Sequence, residues 1–209
     1  MSVKTARKSR ASDELAEAFN KNYIFDFKIK RSFYLNPMHK QFYNCIINDK
    51  TKIGFVDGPA GSMKTYIAVY AGLELIKNED FTKLVYIRSI AESAEKSLGS
   101  LPGEGIIEAI PVNFVRGLTF NKTLVIVDEA QNLSRKELTT ILTRFGRNSK
   151  YIVIGDSNQA DVNKSGYKEI FNTFNTEQCR ENDIYSFKFG NSEIARSKIL
   201  RFICSVLGT

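Results

Sequence analysis

Gly58-Pro59-Ala60-Gly61-Ser62-Met63-Lys64-Thr65 matches the phosphate-binding loop pattern G-x-x-x-x-G-K-[ST] at every fixed position but one, since Met63 stands at the last glycine. An apolar run at 53–57 precedes this loop, and a segment with helical apolar spacing at 66–76 follows it. This order of strand, loop and helix points main-chain N–H groups at an anion. We expect all eight residues to bind nucleotide phosphates, with Lys64 reaching the β- and γ-phosphates and Thr65 ligating Mg²⁺. A strand-to-helix turn without a ligand is the alternative.

A second part of a nucleotide site follows about sixty residues later, in Leu124-Val125-Ile126-Val127-Asp128-Glu129-Ala130-Gln131. Four apolar residues before two acids place Asp128 at the carboxyl end of a buried strand, where ligands bind in open α/β sheets. We expect Asp128 to hold Mg²⁺ through water. Glu129 would then orient and polarise the water that attacks the γ-phosphate. A solvated acid pair that caps a helix is the alternative.

A third candidate part of the site is Tyr151-Ile152-Val153-Ile154-Gly155-Asp156-Ser157-Asn158-Gln159, in which an apolar run is followed by a polar turn. If this run is another strand of the same sheet, its turn lies at the edge where Asp128 lies. Gln159 would sense the γ-phosphate or the attacking water, as amides do in phosphoryl transfer. Alternatively, Asp156 and Asn158 are ordinary turn formers.

Strand and helix patterns alternate from Lys52 onward, which predicts an α/β fold with a mostly parallel sheet and helices on both faces. A further helix is predicted from Asn36-Pro37 to about Asn48. The strands are predicted at 53–57, 84–88, 123–127, 151–155 and 184–189, and the other helices at 64–77, 90–97, 134–145 and 192–206. We interpret 32–209 as one domain and 1–31 as a basic arm that is partly disordered. Within the arm, patterns at 12–19 and 23–30 indicate a short helix and an extended segment.

The net charge of +7 comes largely from the front of the chain, where residues 1–31 hold eight basic and four acidic side chains. A basic arm suits RNA or single-stranded DNA, and it suits solubility equally well. No apolar run is long enough to span a membrane, and no apolar stretch follows the first basic residues as in a secretory signal. Three widely spaced cysteines, Cys45, Cys179 and Cys204, are typical of thiols in a reducing cytoplasm.

With these segments in view, the chain resembles the PhoH family of P-loop ATPases, which is related to the RecA-like nucleotide-binding domain of superfamily one helicases. The resemblance extends from about residue 33 to 203, and the small basic chain is similar to phage-encoded members. The segments that carry it are GPAGSMKT at 58–65, 95–103, 114–119, VIVDEAQN at 125–132, 142–146, GDSNQAD at 155–161 and Ser165-Gly166.

The resemblance implies a single RecA-like domain that binds ATP and hydrolyses it with Mg²⁺ in the cytoplasm, or in the host cytoplasm for a phage protein. It also implies RNA handling and assembly into a homo-oligomer, such as a ring. By the same matching, Gln41 falls where helicase-like relatives read adenine, and Arg144 and Arg196 fall on arginines of the family pattern. Such arginines stabilise transition-state charge in cis or across a subunit boundary. For both arginines, a surface ion pair is the alternative.

Two departures from the family pattern affect these expectations. Glycine at position 63 would permit an unusual backbone angle, so the Met63 side chain must point away or the loop must shift. We therefore expect reduced but not abolished ATP binding, with a gain in affinity in Met63→Gly. The family also usually continues for tens of residues after the Leu-Pro-Gly run that ends here at Gly103. This shortening puts unwinding activity in doubt but leaves the ATP site intact.

Three functions remain open from the sequence. The first is an ATPase coupled to RNA or single-stranded DNA, with contacts from the basic arm, Arg88, Arg116, Phe33 and Tyr34. The second is a nucleotide-responsive assembly module with negligible turnover. The third is a small-molecule kinase such as thymidine kinase, whose paired Cys-x-x-Cys zinc ligands are absent from this sequence.

Overall fold

The computed structural model describes residues 35–89, 106–159 and 165–195, together with 199, 202 and 206. The basic arm at 1–31, the predicted helix at 90–97 and the family segment at 95–103 lie outside the described residues. So do Phe33, Tyr34 and Arg196. Their predicted roles therefore remain predictions.

The described strands form one six-stranded sheet in which every neighbouring pair is parallel. The strand order is β3-β2-β4-β5-β1-β6. The strands are β1 (Ile53–Asp57), β2 (Lys83–Arg88), β3 (Ile107–Pro111), β4 (Thr123–Asp128), β5 (Lys150–Gly155) and β6 (Ile184–Lys188). Five of them lie within a residue of their predicted bounds. β3 was not predicted, and it forms the edge of the sheet beside β2.

Between residues 35 and 195, the described part of the chain contains five α-helices: α1 (Pro37–Ile47), α2 (Lys64–Lys77), α3 (Arg135–Leu142), α4 (Tyr167–Phe174) and α5 (Glu177–Glu181). Short 3₁₀ helices lie at Val112–Phe114, Ala130–Asn132 and Asn191–Glu193. α2 has its predicted bounds, whereas α3 is shorter than predicted, and α4 and α5 were not predicted. The helix predicted at 192–206 was placed too early at its start, because the 3₁₀ turn ends at Glu193 and the next two residues are not helical. The described residues 199, 202 and 206 are helical, as predicted.

The helices cover both faces of the sheet, which confirms the predicted α/β architecture. α1 and α2 pack on one face, where Phe42, Ile67 and Ala71 meet side chains of β4 and β5 such as Ile126 and Ile152. α3 and α4 pack on the other face through Leu138, Ile141, Ile170 and Phe171, against Phe55, Val125 and Val153. β1, β4 and β5 are buried along their whole length, because a parallel sheet covered on both sides has no solvated face.

The central strands β4, β5 and β1 bring three chain segments to one edge of the sheet. Because all three strands run in the same direction, their carboxyl ends lead into the loops at 58–63, 128–129 and 156–159 at that edge. This parallel arrangement is what gathers the motifs predicted from the sequence. Within the described part of the chain, no helix combines the length and apolar character that crossing a membrane requires.

Candidate nucleotide-binding site

A cavity of about 560 Å³ opens at the carboxyl edge of the sheet. Segments that are far apart in the sequence line it, and most of the predicted site residues are among them. The described lining residues are Ala60, Gly61, Ser62, Met63, Lys64, Thr65, Tyr66, Asp128, Glu129, Gln131, Ile154, Gly155, Asp156, Gln159 and Ala195. The structure therefore places the three predicted parts of the site around one space.

The loop at 58–63 has a backbone that glycine favours at several points. A Cβ on Gly58 would lie 2.6 Å from Phe189 Cβ and 2.9 Å from the Phe189 carbonyl oxygen, so a side chain there would force the two segments apart. Gly61 has φ 79° and Met63 has φ 64° and ψ 14°, both in the left-handed region. Met63 thus keeps the conformation that the glycine of the pattern would adopt, at a cost of about 1–2 kcal/mol.

The Met63 side chain packs against the buried cluster between α2 and the sheet. The side chain thus has packing partners outside the loop, although Met63 is also one of the residues that line the cavity. Reduced ATP binding stays a prediction, and this geometry makes the expected reduction small.

Lys64 folds back over the loop that precedes it. Its Nζ donates to the Gly58 carbonyl at 2.6 Å, to the Pro59 carbonyl at 2.8 Å and to Ser62 Oγ at 3.3 Å. Burial lowers the pKa of Lys64, and the carboxylates of Asp156, Asp128, Glu129 and Asp57 oppose that shift. The ammonium group is thus held at the loop by acceptors that phosphate oxygens can replace.

Thr65 and Asp128 meet directly, although they lie on different elements. Thr65 Oγ1 donates to Asp128 Oδ1 at 3.0 Å and lies 3.2 Å from Oδ2. Asp128 is buried, and it also accepts hydrogen bonds from the Glu129 N–H and the Tyr86 hydroxyl. Burial, followed by the charge of Asp128, raises the pKa of Tyr86. Tyr86 was missed because only the pairing of β2 with β4 brings it to this carboxylate.

The oxygen donors of Thr65 and Asp128 fit the preference of Mg²⁺ for a few hard ligands supplemented by phosphate and water. Among the described residues, no group of three or more His, Cys, Asp or Glu side chains is arranged to hold a metal ion. A Mg²⁺ ion held here would depend on those two residues rather than on a carboxylate cage.

Glu129 has both carboxylate oxygens engaged. Gln131 Nε2 donates to Glu129 Oε2 at 2.6 Å, and Arg88 Nη2 lies 3.6 Å from Glu129 Oε1. The backbone of Glu129 is left-handed, with φ 52° and ψ 40°. Gln131 Oε1 also accepts from the Asp156 N–H at 3.1 Å, so this buried amide connects the loops after β4 and β5. The sequence motif contained Gln131, but no role was predicted for it.

The turn after β5 is tied to the end of β1 by Asp57. Its carboxylate accepts from the Ser157 N–H at 2.7 Å and from Ser157 Oγ at 2.8 Å. In the same turn, Asp156 Oδ2 is buried and has no hydrogen-bond partner among the described residues, and burial raises the pKa of this carboxyl. Gln159 donates its N–H to the Asp156 carbonyl at 3.1 Å and lines the cavity, where its predicted sensing role requires it.

On α1, the residue that reaches the loop is His39 rather than Gln41. His39 is buried, its Nε2 lies 3.1 Å from the Ser62 carbonyl oxygen, and its ring packs edge-on against Phe189. Burial is the main cause that lowers the pKa of His39. Gln41 lies two positions further along the helix, is exposed, and is not one of the described residues that line the cavity. Its contact with adenine stays a prediction.

Arg144 lies near the amino end of β5, at the opposite end of the strands from the cavity. It follows the end of α3, and its carbonyl accepts a hydrogen bond from the Phe120 N–H. Burial raises the pKa of Tyr151, near the start of β5, and the charge of the Arg144 guanidinium partly offsets that rise. The five residue steps from Tyr151 to Asp156 span about 16 Å of extended chain. A role in the cavity of its own chain does not fit this position. The role across a subunit boundary stays a prediction, with a structural role in its own chain as the alternative.

Comparison with known proteins identifies similar sequences and one similar fold. The PhoH-like protein of Bacillus subtilis (strain 168) is 35% identical over 138 residues, which cover 51% of this chain and 43% of that protein. Protein PhoH of Escherichia coli (strain K12) is 26% identical over 181 residues, which cover 69% of this chain and 50% of that protein. The chain thus spans about half the length of these relatives.

Among solved structures, Pif1 from Bacteroides sp in complex with ADP-AlF4 matches 85% of this chain and 46% of its own chain, with a TM-score of 0.52 and 20% identity. Unliganded Pif1 from the same source matches with a TM-score of 0.50. At this identity the likeness shows the fold, which confirms the predicted RecA-like domain.

The family model described as PhoH-like protein matches residues 34–105 and 103–207. The two matched segments meet where the chain was predicted to be shorter than its relatives. Together they cover most of the sequence and contain every motif on which the resemblance was based. The chain therefore belongs to the PhoH-like protein family and has the fold of a P-loop ATPase.

Proposed function

We propose that this chain binds ATP with Mg²⁺, hydrolyses it, and couples hydrolysis to the binding or remodelling of RNA or single-stranded DNA. The observation that carries the proposal is the convergence of Lys64, the Thr65–Asp128 pair, Glu129 and Gln159 on one cavity. The similar Pif1 fold was solved with ADP-AlF4 bound, which supports a nucleotide in the equivalent cavity. The family match gives no support to the kinase alternative.

Each residue has a distinct part in this proposal. The loop N–H groups and the start of α2 bind the phosphates, and Lys64 exchanges its contacts with the Gly58 and Pro59 carbonyls for phosphate oxygens. Thr65 and Asp128 would hold Mg²⁺, which neutralises charge developing on the phosphates. Glu129 orients the attacking water, and Gln159 contacts that water or the γ-phosphate. Lys64 and Gln159 therefore act with Glu129 as the catalytic set.

Hydrolysis is tested by comparing the wild type with Glu129→Gln and Lys64→Ala. Because the amide cannot take a proton from water, we expect Glu129→Gln to retain ATP binding and to lose about 100- to 10,000-fold in phosphate release. Lys64→Ala should lose binding as well. Phosphate release and the fluorescence of a labelled ATP analogue measure the two quantities separately. Full activity in Glu129→Gln would contradict the assigned role.

Coupling to nucleic acid is tested by measuring ATP hydrolysis with and without single-stranded RNA over a series of salt concentrations. We expect stimulation and an affinity that falls as salt rises, because phosphate contacts release counterions. Binding without salt dependence, together with no stimulation, would contradict the coupling. A change in particle size on adding ATP without phosphate release would favour the assembly module instead. If Arg144 contacts a nucleotide at all, that nucleotide belongs to another subunit, and this role would require an assembled form.

A further inference from the structure

Arg88 lies between the nucleotide cavity and the outermost strand of the sheet, β3. As the last residue of β2, it is paired in register with Asp128 of β4 on one side and with Pro111 of β3 on the other. Its side chain is 55% exposed, and it is not one of the described residues that line the cavity. Its guanidinium nevertheless contacts Glu129, which does line the cavity. Arg88 thus touches the proposed water-orienting residue from outside the nucleotide site.

The ion pair with Arg88 lies at the oxygen of Glu129 that Gln131 does not bind. Oε2 accepts the Gln131 amide at 2.6 Å, and Oε1 faces the guanidinium at 3.6 Å. Each carboxylate oxygen can accept more than one hydrogen bond, so neither donor excludes a water, but together they fix the direction in which the carboxylate points. The amide bond is the shorter one, and its buried donor is also anchored to the Asp156 N–H. The guanidinium is exposed and more distant, so it is the partner that can leave.

The surface beyond Arg88 suits a single-stranded polynucleotide. After β3 the chain continues through the turn at 112–114, where Phe114 is 70% exposed although the neighbouring Val115 is fully buried and anchors the segment. Arg116 follows and is exposed as well. An exposed aromatic ring beside cations can stack a base while the cations bind the backbone phosphates. Among the described residues, β3 ends at Pro111, which is paired in register with Arg88, three residues before this ring.

We propose that Arg88 is a positioning residue that couples strand binding to hydrolysis. In the structure, its guanidinium pairs with Glu129 Oε1 and holds the carboxylate in its present direction. A backbone phosphate of a single strand lying across β3 and β2 draws the guanidinium away, and the Glu129 carboxylate is then free to turn and orient the attacking water. This inference rests on the proposed function and adds the means by which RNA or single-stranded DNA would stimulate the enzyme.

Relative bond strengths favour this exchange. An exposed ion pair at 3.6 Å stabilises little and is screened by salt. A phosphate can accept two parallel N–H bonds from one guanidinium, which makes a stronger and better-defined contact. Arg88 is therefore held well enough to restrain Glu129 and weakly enough to be taken by a strand.

The test measures ATP hydrolysis by the full chain with and without a saturating oligouridine. In Arg88→Gln we expect the basal kcat to rise at least threefold toward the stimulated wild-type value, with little change in KM for ATP, and the stimulation factor to fall below two. Raising salt from about 0.05 to 0.3 M should increase the basal rate of the wild type but not that of Arg88→Gln, because only the wild type has an ion pair to screen.

Lys83→Gln is the matched control. It removes a cation that pairs with Glu108 at the other end of β2, so it should leave both the basal rate and the stimulation unchanged. Arg116→Gln tests the strand surface itself: it should weaken oligouridine binding and still reach full stimulation at saturation. This separates loss of affinity from loss of coupling.

Each outcome decides the proposal. An unchanged or lower basal rate in Arg88→Gln, or wild-type stimulation in that variant, would overturn the role of Arg88 while leaving the proposed function in place. A wild type that hydrolyses ATP without responding to oligouridine would overturn both the coupling and this inference. A wild type that does not hydrolyse ATP would overturn the proposed function, and this inference with it.

Discussion

Two lysines at opposite ends of the strands, the half-buried Lys64 and the buried Lys150, donate to main-chain carbonyls in the same way. At the carboxyl edge, Lys64 Nζ bonds the Gly58 and Pro59 carbonyls. At the amino edge, Lys150 Nζ bonds the Ile46 carbonyl at 2.5 Å and the Asn48 carbonyl at 2.7 Å, where α1 ends. The hydrogen bonds alone do not distinguish a ligand-binding lysine from a structural one.

The surroundings of the two lysines distinguish them. Lys64 faces four carboxylates and lies at the start of α2, so its charge is supported while its carbonyl partners can be exchanged for phosphate. Lys150 is 2% exposed and lies near the Phe81 ring, and burial lowers its pKa to about 8. It satisfies the last carbonyls of a helix, which have no partner within that helix. We therefore expect the lysine at the carboxyl ends of the strands to bind ligand and the lysine at the amino ends to stabilise the fold.

Replacing each lysine by methionine gives the strongest test of this comparison. Lys64→Met should weaken ATP binding by about a thousandfold, because several charge-assisted contacts to phosphate are lost together. Lys150→Met should change ATP affinity by less than threefold. Titration with a fluorescent ATP analogue measures both variants. Equal losses of affinity would show that the two edges are not functionally distinct.

The stability of the protein in alkali tests the environment of Lys150. Its pKa is about 8 in the folded state and about 10.5 when exposed, so between these values the unfolded chain binds more protons. The free energy of unfolding should therefore rise from about pH 8 to 10.5, by up to about 3 kcal/mol from this group.

Lys150→Met is the control for this measurement, because it lacks the titrating group. The difference in unfolding free energy between wild type and variant, from urea denaturation at each pH, removes contributions of other residues. A difference that stays constant across this pH range would contradict the assigned burial of the ammonium.

Replacing Arg144 tests whether this residue of one subunit acts on ATP bound at the carboxyl ends of the strands in another subunit. In Arg144→Gln, we expect ATP hydrolysis per subunit to equal that of the wild type at dilution. The variant should fall about tenfold behind at concentrations where the protein assembles, since an arginine supplied in trans acts only there. Phosphate release and sedimentation at matched concentrations provide the measurement. A loss that is already complete in the monomer would instead indicate an action within one chain.

Met63→Gly should have the smallest effect. The backbone at this position is already left-handed, so glycine removes strain without reshaping the loop. Relief of the backbone strain should raise the stability of the protein, whereas loss of the side chain's packing should lower it. We expect a gain in ATP affinity of no more than about threefold, measured by the same titration. A large gain would mean that the methionine side chain obstructs the phosphates.

Sequence patterns located most of the fold, and the failures have physical causes. β3 was missed because its five residues, Ile-Glu-Ala-Ile-Pro, mix polar and apolar side chains and end in proline, as an edge strand can. α4 carries a detectable signal, since Tyr167, Ile170, Phe171 and Phe174 recur at helical spacing. α5 has no buried residue among its five and therefore left no apolar pattern to detect.

The amino-acid sequence alone determined the identities and local settings of Lys64, Thr65, Asp128, Glu129 and Gln159. Their motifs depend on short-range features, namely a loop before a helix and polar residues that end a buried strand. Only the tertiary structure decided which other groups act on them. Tyr86, Arg88, Gln131 and His39 reach the site through strand register and helix packing. Except for the Gln131–Glu129 bond, which is local, these contacts join residues far apart in the chain, and no local pattern encodes them.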